Sequence, residues 1–250
     1  MKKILMFVLC VMLGDMYAAL NTAVDVNTAP HKKPLTSRAG DCVRGKSTIF
    51  LEVNNIRAML LNSGDLWWDR NTAQYEAPKR TEEKVKNKVR AINPLFAGSV
   101  WVSGLVGGNL RMAAITYSAN KSAWWPGPIK QGEATINKAK CEKFDQYWSV
   151  TSEEINDAIA GIKISQSILE WPGRGNRYLI NVKKTFTAEE LSDDLAPFFD
   201  RNGNCIYDPE LGDLPSIKPV SNNPLCTSPC NKFTFADQMI FWVINDVGND

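Results

Sequence analysis

The stretch that decides the fold class is residues 48–69, which read TIFLEVNNIRAMLLNSGDLWWD. Apolar and polar residues alternate along part of it, and β-branched and aromatic residues are frequent. Within it, Asn62-Ser63-Gly64-Asp65 has the composition of a turn. We therefore predict one or two β-strands here, in a chain whose fold is mainly β.

The clearest β-hairpin follows at residues 95–118. Two strand-like runs, LFAGSVWVSGL and LRMAAITYS, are joined by Val106-Gly107-Gly108-Asn109. Glycine reaches positive φ angles without steric cost, and a tight hairpin turn needs such angles. The final run, residues 237–246, is also strand-like and dense with apolar residues.

The predicted helices are short. Thr151 with Glu154 and Thr187 with Glu190 have the spacing of a capping box, and Pro197 would end the second helix. Residues 81–92 predict a short helix or a surface loop. Many Pro and Gly residues interrupt the remaining segments. We therefore predict a sandwich-like β domain with short helices and long loops rich in Pro, Gly and Trp.

The N-terminus has the three-part layout of a secretory signal peptide. Residues 1–19 give Met-Lys-Lys, an apolar run, and a short region with small residues before Leu20. The apolar run is shorter than the roughly 20 residues that span a bilayer. The alternative to a signal peptide is a buried N-terminal helix. We expect a secreted or cell-surface protein with a flexible linker over residues 20–47. Residues 48–250 would form the extracellular module, as the front part of a longer protein.

Composition limits the possible functions. The chain has 29 Lys and Arg against 27 Asp and Glu, and these are scattered, so nucleic acid is not an expected partner. Outside the leader, no apolar run approaches the length that spans a membrane. The one histidine, His31, lies in the Pro- and Lys-rich linker, where no third group holds a catalytic base. Paired carboxylates therefore remain the main enzymatic possibility.

Cysteine usage favours disulfides. Of six cysteines, Cys10 lies in the leader and five remain in the mature chain. An exported protein meets an oxidising compartment, and an odd number leaves one thiol for another role. The short Thr-Ser-Pro turn between Cys226 and Cys230 makes these two the first choice for a disulfide pair. A zinc site is less favoured, because the cysteines form no repeated Cys-x-x-Cys pairs.

The most specific chemical pattern is FDRNGNCIYDPELGD, residues 199–213. Oxygen-bearing side chains fall at alternate positions, as in loops around calcium, a hard cation that takes about six to eight oxygen ligands. The apolar side chain of Ile206 would anchor the loop in the core, while its carbonyl takes the position at which such loops use backbone oxygen. The pattern predicts a calcium site with these ligands: Asp200, Asn202, Asn204, the Ile206 carbonyl, Asp208 and Asp213.

This loop departs from an EF-hand. Cys205 stands at the position usually held by Gly, and Leu211 at the position usually held by a bidentate Glu. Pro209 and Pro215 also argue against an exiting helix. The loop resembles the stand-alone calcium loops of dockerin modules and thrombospondin type 3 repeats. The alternative is an Asx-rich turn that binds no metal.

A series of stretches resembles the N-terminal region of large secreted or cell-surface proteins of Bacteroidetes that are exported by the type IX secretion system. In chain order they are LEVNNIRAMLLNSGDLWWD, LFAGSVWVSGL, WWPGPI, CEKFDQYW, ILEWPGRGN, LAPFFDRNGNCIYDPELGD and DQMIFWVINDVGN. The resemblance covers residues 48–250. It implies a longer chain that ends in a sorting domain and a recurring calcium-type loop. It identifies no catalytic residues.

Two functions are consistent with these features. The first is a non-enzymatic, calcium-stabilised module that serves adhesion or a larger extracellular assembly, with a surface protein or a glycan as its partner. The second is a carbohydrate-binding or carbohydrate-active protein, because indole faces stack on sugar rings. Burial of the tryptophans would distinguish the two. The candidate platforms are Trp67, Trp68, Trp124 and Trp125. The carboxylates nearest to any tryptophan in sequence are Asp65, Asp69 and Glu170.

Overall fold

A computed structural model describes residues 40–115, 123–129, 135–192, 195–221, 223 and 233–247. All belong to the second of two compact units, Ser37–Asp250. The predicted signal peptide, most of the predicted linker with His31, and the Cys226–Cys230 pair lie outside the described residues. In the described part, no helix combines the length and the apolar character that crossing a membrane requires.

Short strands dominate the described residues, and the helices are brief. The strands are β1 Thr48–Val53, β2 Ile56–Leu61, β3 Asp65–Leu66, β4 Tyr75–Glu76, β5 Gly98–Ser99, β6 Val102–Val106, β7 Asn109–Ala113, β8 Trp125–Pro126, β9 Trp148–Thr151, β10 Phe198–Asp200, β11 Leu214–Pro215, β12 Val220–Ser221, β13 Gln238–Phe241 and β14 Ile244–Asn245. The helices are α1 Glu82–Lys86, α2 Lys138–Phe144, α3 Ser152–Ile159 and α4 Gln166–Leu169, with a π-helical turn Tyr178–Val182 and a 3-10 turn Pro209–Leu211.

The stretch at 48–69 builds the largest sheet. It forms β1, β2 and β3, one strand more than expected, and β4 and β5 complete the sheet. Ala58, Met59, Leu60 and Leu61 of β2 are buried because this strand pairs with β1, β3 and β4. The mainly β fold is thereby confirmed.

The remaining described strands form small sheets. β10 lies between β11 and β12, while β6–β7, β8–β14 and β9–β13 are two-stranded. The predicted hairpin is confirmed as β6 and β7, with Gly107 and Gly108 at φ +57° and +80° in the turn. The sandwich arrangement stays a prediction, because these sheets are small and separate.

One of the two predicted capping boxes starts a helix. Thr151 and Glu154 exchange both capping hydrogen bonds at the start of α3. Thr187 and Glu190 make the same pair of bonds, but the helix predicted after them is wrong. The described residues after Thr187 form turns, and the Ser192 hydroxyl donates to the Glu189 carbonyl at 2.7 Å. Such local side-chain bonds compete with helical ones.

A core of aromatic and aliphatic side chains joins the helices to the small sheets. Its members come from α2, β9, α3, α4, the π-helical turn, β10, β11 and β13, and from the loops between these elements. Phe144, Trp148 and Phe186 contact one another with ring centroids 5.2 to 6.2 Å apart. The fully buried members with the largest side chains are Trp171, Tyr207, Phe144, Ile155, Ile168, Leu179 and Leu191.

A disulfide and backbone hydrogen bonds hold the start of the module. Cys42 and Cys141 are bonded across 99 residues, with 5.8 Å between their Cα atoms, so the expectation of at least one disulfide is confirmed. The backbone N–H groups of Lys46 and Ser47 donate to the Asp145 carboxylate. Residues 42–47, which sequence assigned to the linker, are therefore attached to the module.

Candidate functional site

The loop of residues 200–213 connects two neighbouring strands. β10 leads into it and β11 leads out, and the two pair antiparallel through Phe198 with Pro215 and Phe199 with Leu214. Its centre is fixed by Tyr207, whose fully buried hydroxyl donates to the Ile168 carbonyl at 2.6 Å. The two ends and the middle of the loop are therefore all held by the core.

The anchor differs from the one predicted. Ile206 was expected to point into the core, but it is only half-buried, against Gly175. The next residue, Tyr207, is buried instead and packs edge-on against Phe198 with 5.3 Å between ring centroids. Tyr207 is favoured because its ring fills the core while its hydroxyl still finds an acceptor.

Asp200 is the centre of the hydrogen-bond network in the loop. Its Oδ1 accepts from the backbone N–H groups of Gly203, at 2.7 Å, and Asn204, at 3.2 Å. Its Oδ2 accepts from the Cys205 N–H at 3.0 Å and from the Ser221 hydroxyl at 2.8 Å. The backbone of residues 203–205 is therefore wrapped around this buried carboxylate.

The two asparagines extend the network. The Asn202 side-chain oxygen accepts from the Asn204 N–H at 3.0 Å, and the Asn204 side-chain oxygen accepts from the Ile206 N–H at 2.8 Å. The Asn204 amide donates to Asp208 Oδ2 at 2.9 Å. These are Asx turns, in which a side chain stands in for a backbone acceptor.

Asp213 closes the loop. Its two oxygens accept from the backbone N–H groups of Arg201 and Asp208, each at 2.9 Å, so the ends of the loop are tied together. Burial, together with the charges of Asp200 and Asp208, raises the pKa of Asp213 to about 6, against the lowering effect of these two hydrogen bonds. Burial first, and then the two neighbouring carboxylates, therefore favour the protonated form of Asp213.

Cys205 takes the backbone conformation that glycine usually provides at its position. Its φ is +64°, in the left-handed region, and Gly203 is at +73°. The loop therefore makes the sharp turn of the calcium pattern although the usual glycine is missing. Cys205 is also disulfide-bonded.

The donor chemistry fits calcium, while the side chains are committed to hydrogen bonds. Carboxylate and amide oxygens are the ligands that calcium prefers. In the described ranges, no three His, Cys, Asp or Glu side chains are grouped so that they could hold a metal ion as they stand. A calcium ion would therefore draw oxygens away from the backbone N–H groups. All five candidate side chains and the Ile206 carbonyl belong to this single loop.

Sequence reasoning missed three residues that contact the loop from outside it. Ser221 reaches Asp200 because β12 runs parallel to β10, and Asn223 donates to the Gly203 carbonyl at 2.9 Å. Arg177 lies 3.8 Å from Asp208, measured from Nε to Oδ1. No local sequence signal identifies them, since each depends on how distant segments pack.

The four candidate tryptophan platforms do not lie along one open groove. Trp124 is buried, and its indole N–H donates to the Val100 carbonyl at 3.0 Å. Trp125, Trp67 and Trp68 are half-buried. Trp67 packs edge-on against Tyr75 and contacts the backbone of Gly98, so its ring is part of the main sheet.

The three carboxylates that lie nearest to a tryptophan in sequence have structural partners. Asp65 is buried and pairs with Arg44 and with the Ser63 hydroxyl. Asp69 accepts from the backbone N–H groups of residues 71 and 72, and Glu170 pairs with Lys183. Each carboxylate therefore already serves a local contact.

Comparison with known proteins gives no relative. The chain matches no protein-family model, no curated protein and no solved structure.

Proposed function

We propose that this chain is a non-enzymatic extracellular module in which calcium binds the loop of residues 200–213 and stabilises the fold. The observation that carries this proposal is the burial of Asp200, Asp208 and Asp213 in one loop. Among the described ion pairs, only Arg177 contacts any of these three, at 3.8 Å from Asp208. Burying negative charge without a cation is costly, and calcium supplies that cation.

A location outside the cytoplasm supports the calcium proposal. The leader expected at residues 1–19 and the Cys42–Cys141 disulfide are both typical of exported proteins. Extracellular calcium sites work with dissociation constants of about 0.1 to 1 mM, so a weak site is occupied there. The two asparagines among the candidate ligands lower the site charge, which agrees with weak binding.

The carbohydrate alternative has less support from this structure. A sugar platform needs an exposed indole face, whereas Trp124 is buried and Trp67 packs against Tyr75 and Gly98. Asp65 and Glu170 are engaged in ion pairs. We therefore retain the calcium-stabilised module, with adhesion or participation in a larger assembly as its role.

The test is thermal unfolding of the full chain in millimolar calcium and in chelator. Calcium at about a hundred times its dissociation constant adds about 2.7 kcal/mol to the free energy of unfolding. Asn202→Ala should reduce this gain, because it removes one candidate calcium ligand. The variant should still fold, because the Asn202 side chain is exposed and accepts a single local bond. Asp200→Ala is unsuitable, although the sequence pattern makes it the obvious choice, because Asp200 supports the loop without calcium.

Glu210→Gln is the matched control. Glu210 is an exposed acid in the same loop and is not among the candidate ligands, so its loss should leave the calcium gain unchanged. Equal losses in both variants would indicate general charge screening. Identical wild-type melting curves, with no heat in titration calorimetry, would mean that the loop is an Asx-rich turn without metal.

A further inference from the structure

The β6–β7 hairpin carries an apolar face that the described residues leave exposed. Cross-strand pairing places Leu105 opposite Leu110 and Ser103 opposite Met112. Side chains of directly opposed residues point to the same face, as do those two residues apart on a strand. Trp101, two residues before Ser103, stands at the base of this face. The exposed fractions of Trp101, Leu105, Leu110 and Met112 are 63%, 72%, 68% and 60%.

The charge of the hairpin lies on its opposite face. Arg111 pairs with Gly104, so its side chain points away from the leucines, and Ser103 is the only polar residue among the five on the apolar face. Exposed patches of this kind mark interaction surfaces, because leaving large apolar side chains in water is unfavourable. A partner for this face must itself be apolar and needs no charge.

We propose that this apolar face binds the same face of a second copy of the chain about a two-fold axis. Two such faces match in chemistry, and no charge on either opposes their approach. Four large side chains exposed to this extent present about 500 Å² per copy, or about 1,000 Å² for the pair. That area reaches the lower limit for a specific interface and fits a weak dimer.

A second copy suits this face better than a lipid surface. A hairpin placed in a bilayer would leave the polar edges of β6 and β7 without hydrogen-bond partners, at a high cost. In a dimer those edges remain in water. The overall charge of +2 also gives little attraction to anionic lipid. This interface does not depend on calcium, because it is built from residues outside the 200–213 loop.

The test is sedimentation equilibrium of the full chain between about 1 µM and 1 mM, in calcium and in chelator. We expect a monomer–dimer equilibrium with a dissociation constant of about 1 to 100 µM in both conditions. Leu105→Ser with Leu110→Ser should raise that constant at least tenfold, since each substitution acts twice in a symmetric dimer. Met112→Lys should do the same through like-charge repulsion across the axis.

The matched control is Ile162→Ser, at a side chain that is 73% exposed away from the hairpin. It should change the dissociation constant by less than about twofold. A chain that stays monomeric at about 1 mM, or a dimer that survives both hairpin variants, would overturn the proposal. So would a monomer that binds phosphatidylcholine–phosphatidylglycerol vesicles through the same leucines. Unchanged melting curves would show that the exposed substitutions leave the fold intact.

Discussion

Two buried carboxylates in this molecule have opposite surroundings. Glu76, on β4, accepts from Arg80 Nη2 at 2.8 Å and from Arg80 Nε at 3.1 Å, and Arg57 lies 3.7 Å away. Among the described residues, Asp213, at the end of the 200–213 loop, accepts only from backbone N–H groups, and it shares its surroundings with Asp200 and Asp208. One site is neutralised by the chain itself, and the other is crowded with like charge.

The two pKa values move in opposite directions for this reason. Hydrogen bonds from Arg80 lower the pKa of Glu76 below its usual value, against the effect of burial, and Arg57 lowers it further. Burial and two neighbouring carboxylates raise the pKa of Asp213 to about 6. A charge already paired by its own chain has a structural role. A charge that the chain leaves unpaired is where an external cation gains most.

The largest expected effect is that of Asp200→Ala. The substitution removes an acceptor from three backbone N–H groups and the Ser221 hydroxyl, in a buried position. We expect the free energy of unfolding to fall by about 3 to 5 kcal/mol in chelator. Chemical denaturation measures it, with the exposed Glu210→Ala as control. A loss below about 1 kcal/mol would show that the network contributes little without metal.

The second prediction concerns the pH dependence caused by Asp213. Its pKa is 3.8 when exposed and about 6 in the fold, so the folded state binds the proton more tightly. In chelator, this stabilisation is present below about pH 4 and is lost as the pH rises through about 6, a change of about 3 kcal/mol. Denaturation of wild type and Asp213→Asn at a series of pH values should show the fall only in wild type. Parallel profiles would mean that the pKa of Asp213 is not raised in the fold.

Glu76→Gln should give the opposite pH dependence, with a smaller effect. The lowered pKa of Glu76 makes the ionised form stabilising above its ordinary value of 4.5, and this contribution is lost as the pH falls through the folded pKa. At pH 7 we expect a loss of about 1 to 2 kcal/mol that disappears in acid. Glu52→Gln is the control, because Glu52 pairs with the same Arg57 at a more exposed position. A similar loss of stability in the control would mean that the effect comes from the unpaired Arg57 and not from Glu76.

Local patterns in the sequence predicted local structure. The strands in residues 48–69, the Gly107-Gly108 hairpin and the capping box of α3 each depend on residues a few positions apart, and all three formed. The helix after Thr187 failed although its capping bonds formed, because a cap stabilises the first turn and does not extend it.

Contacts between distant segments could not be predicted in the same way. The Cys42–Cys141 bond spans 99 residues, and cysteine spacing does not determine connectivity. For the loop, alternate oxygens identified the residues that cluster, but Tyr207 as the anchor depends on the packing of α4 against it. Ser221 contacts Asp200 only because β12 pairs in parallel with β10. The residues that form the loop could therefore be predicted from the sequence, whereas the residues that hold it in place could not.

The smallest expected effect is that of Arg177→Gln. It tests whether the chain neutralises the carboxylates of the 200–213 loop less well than it neutralises Glu76. Arg177 is the only described cation paired with a carboxylate of the loop, but its side chain is 64% exposed and its Nε lies 3.8 Å from Asp208. Exposed pairs at such distances contribute about 0 to 1 kcal/mol, so we expect a loss below about 0.5 kcal/mol in chelator. Urea denaturation of wild type and variant measures it, with Arg80→Gln as the contrasting case at Glu76. A loss from Arg177→Gln as large as that from Arg80→Gln would mean that the chain neutralises both carboxylate sites itself. The loop would then have no need of calcium.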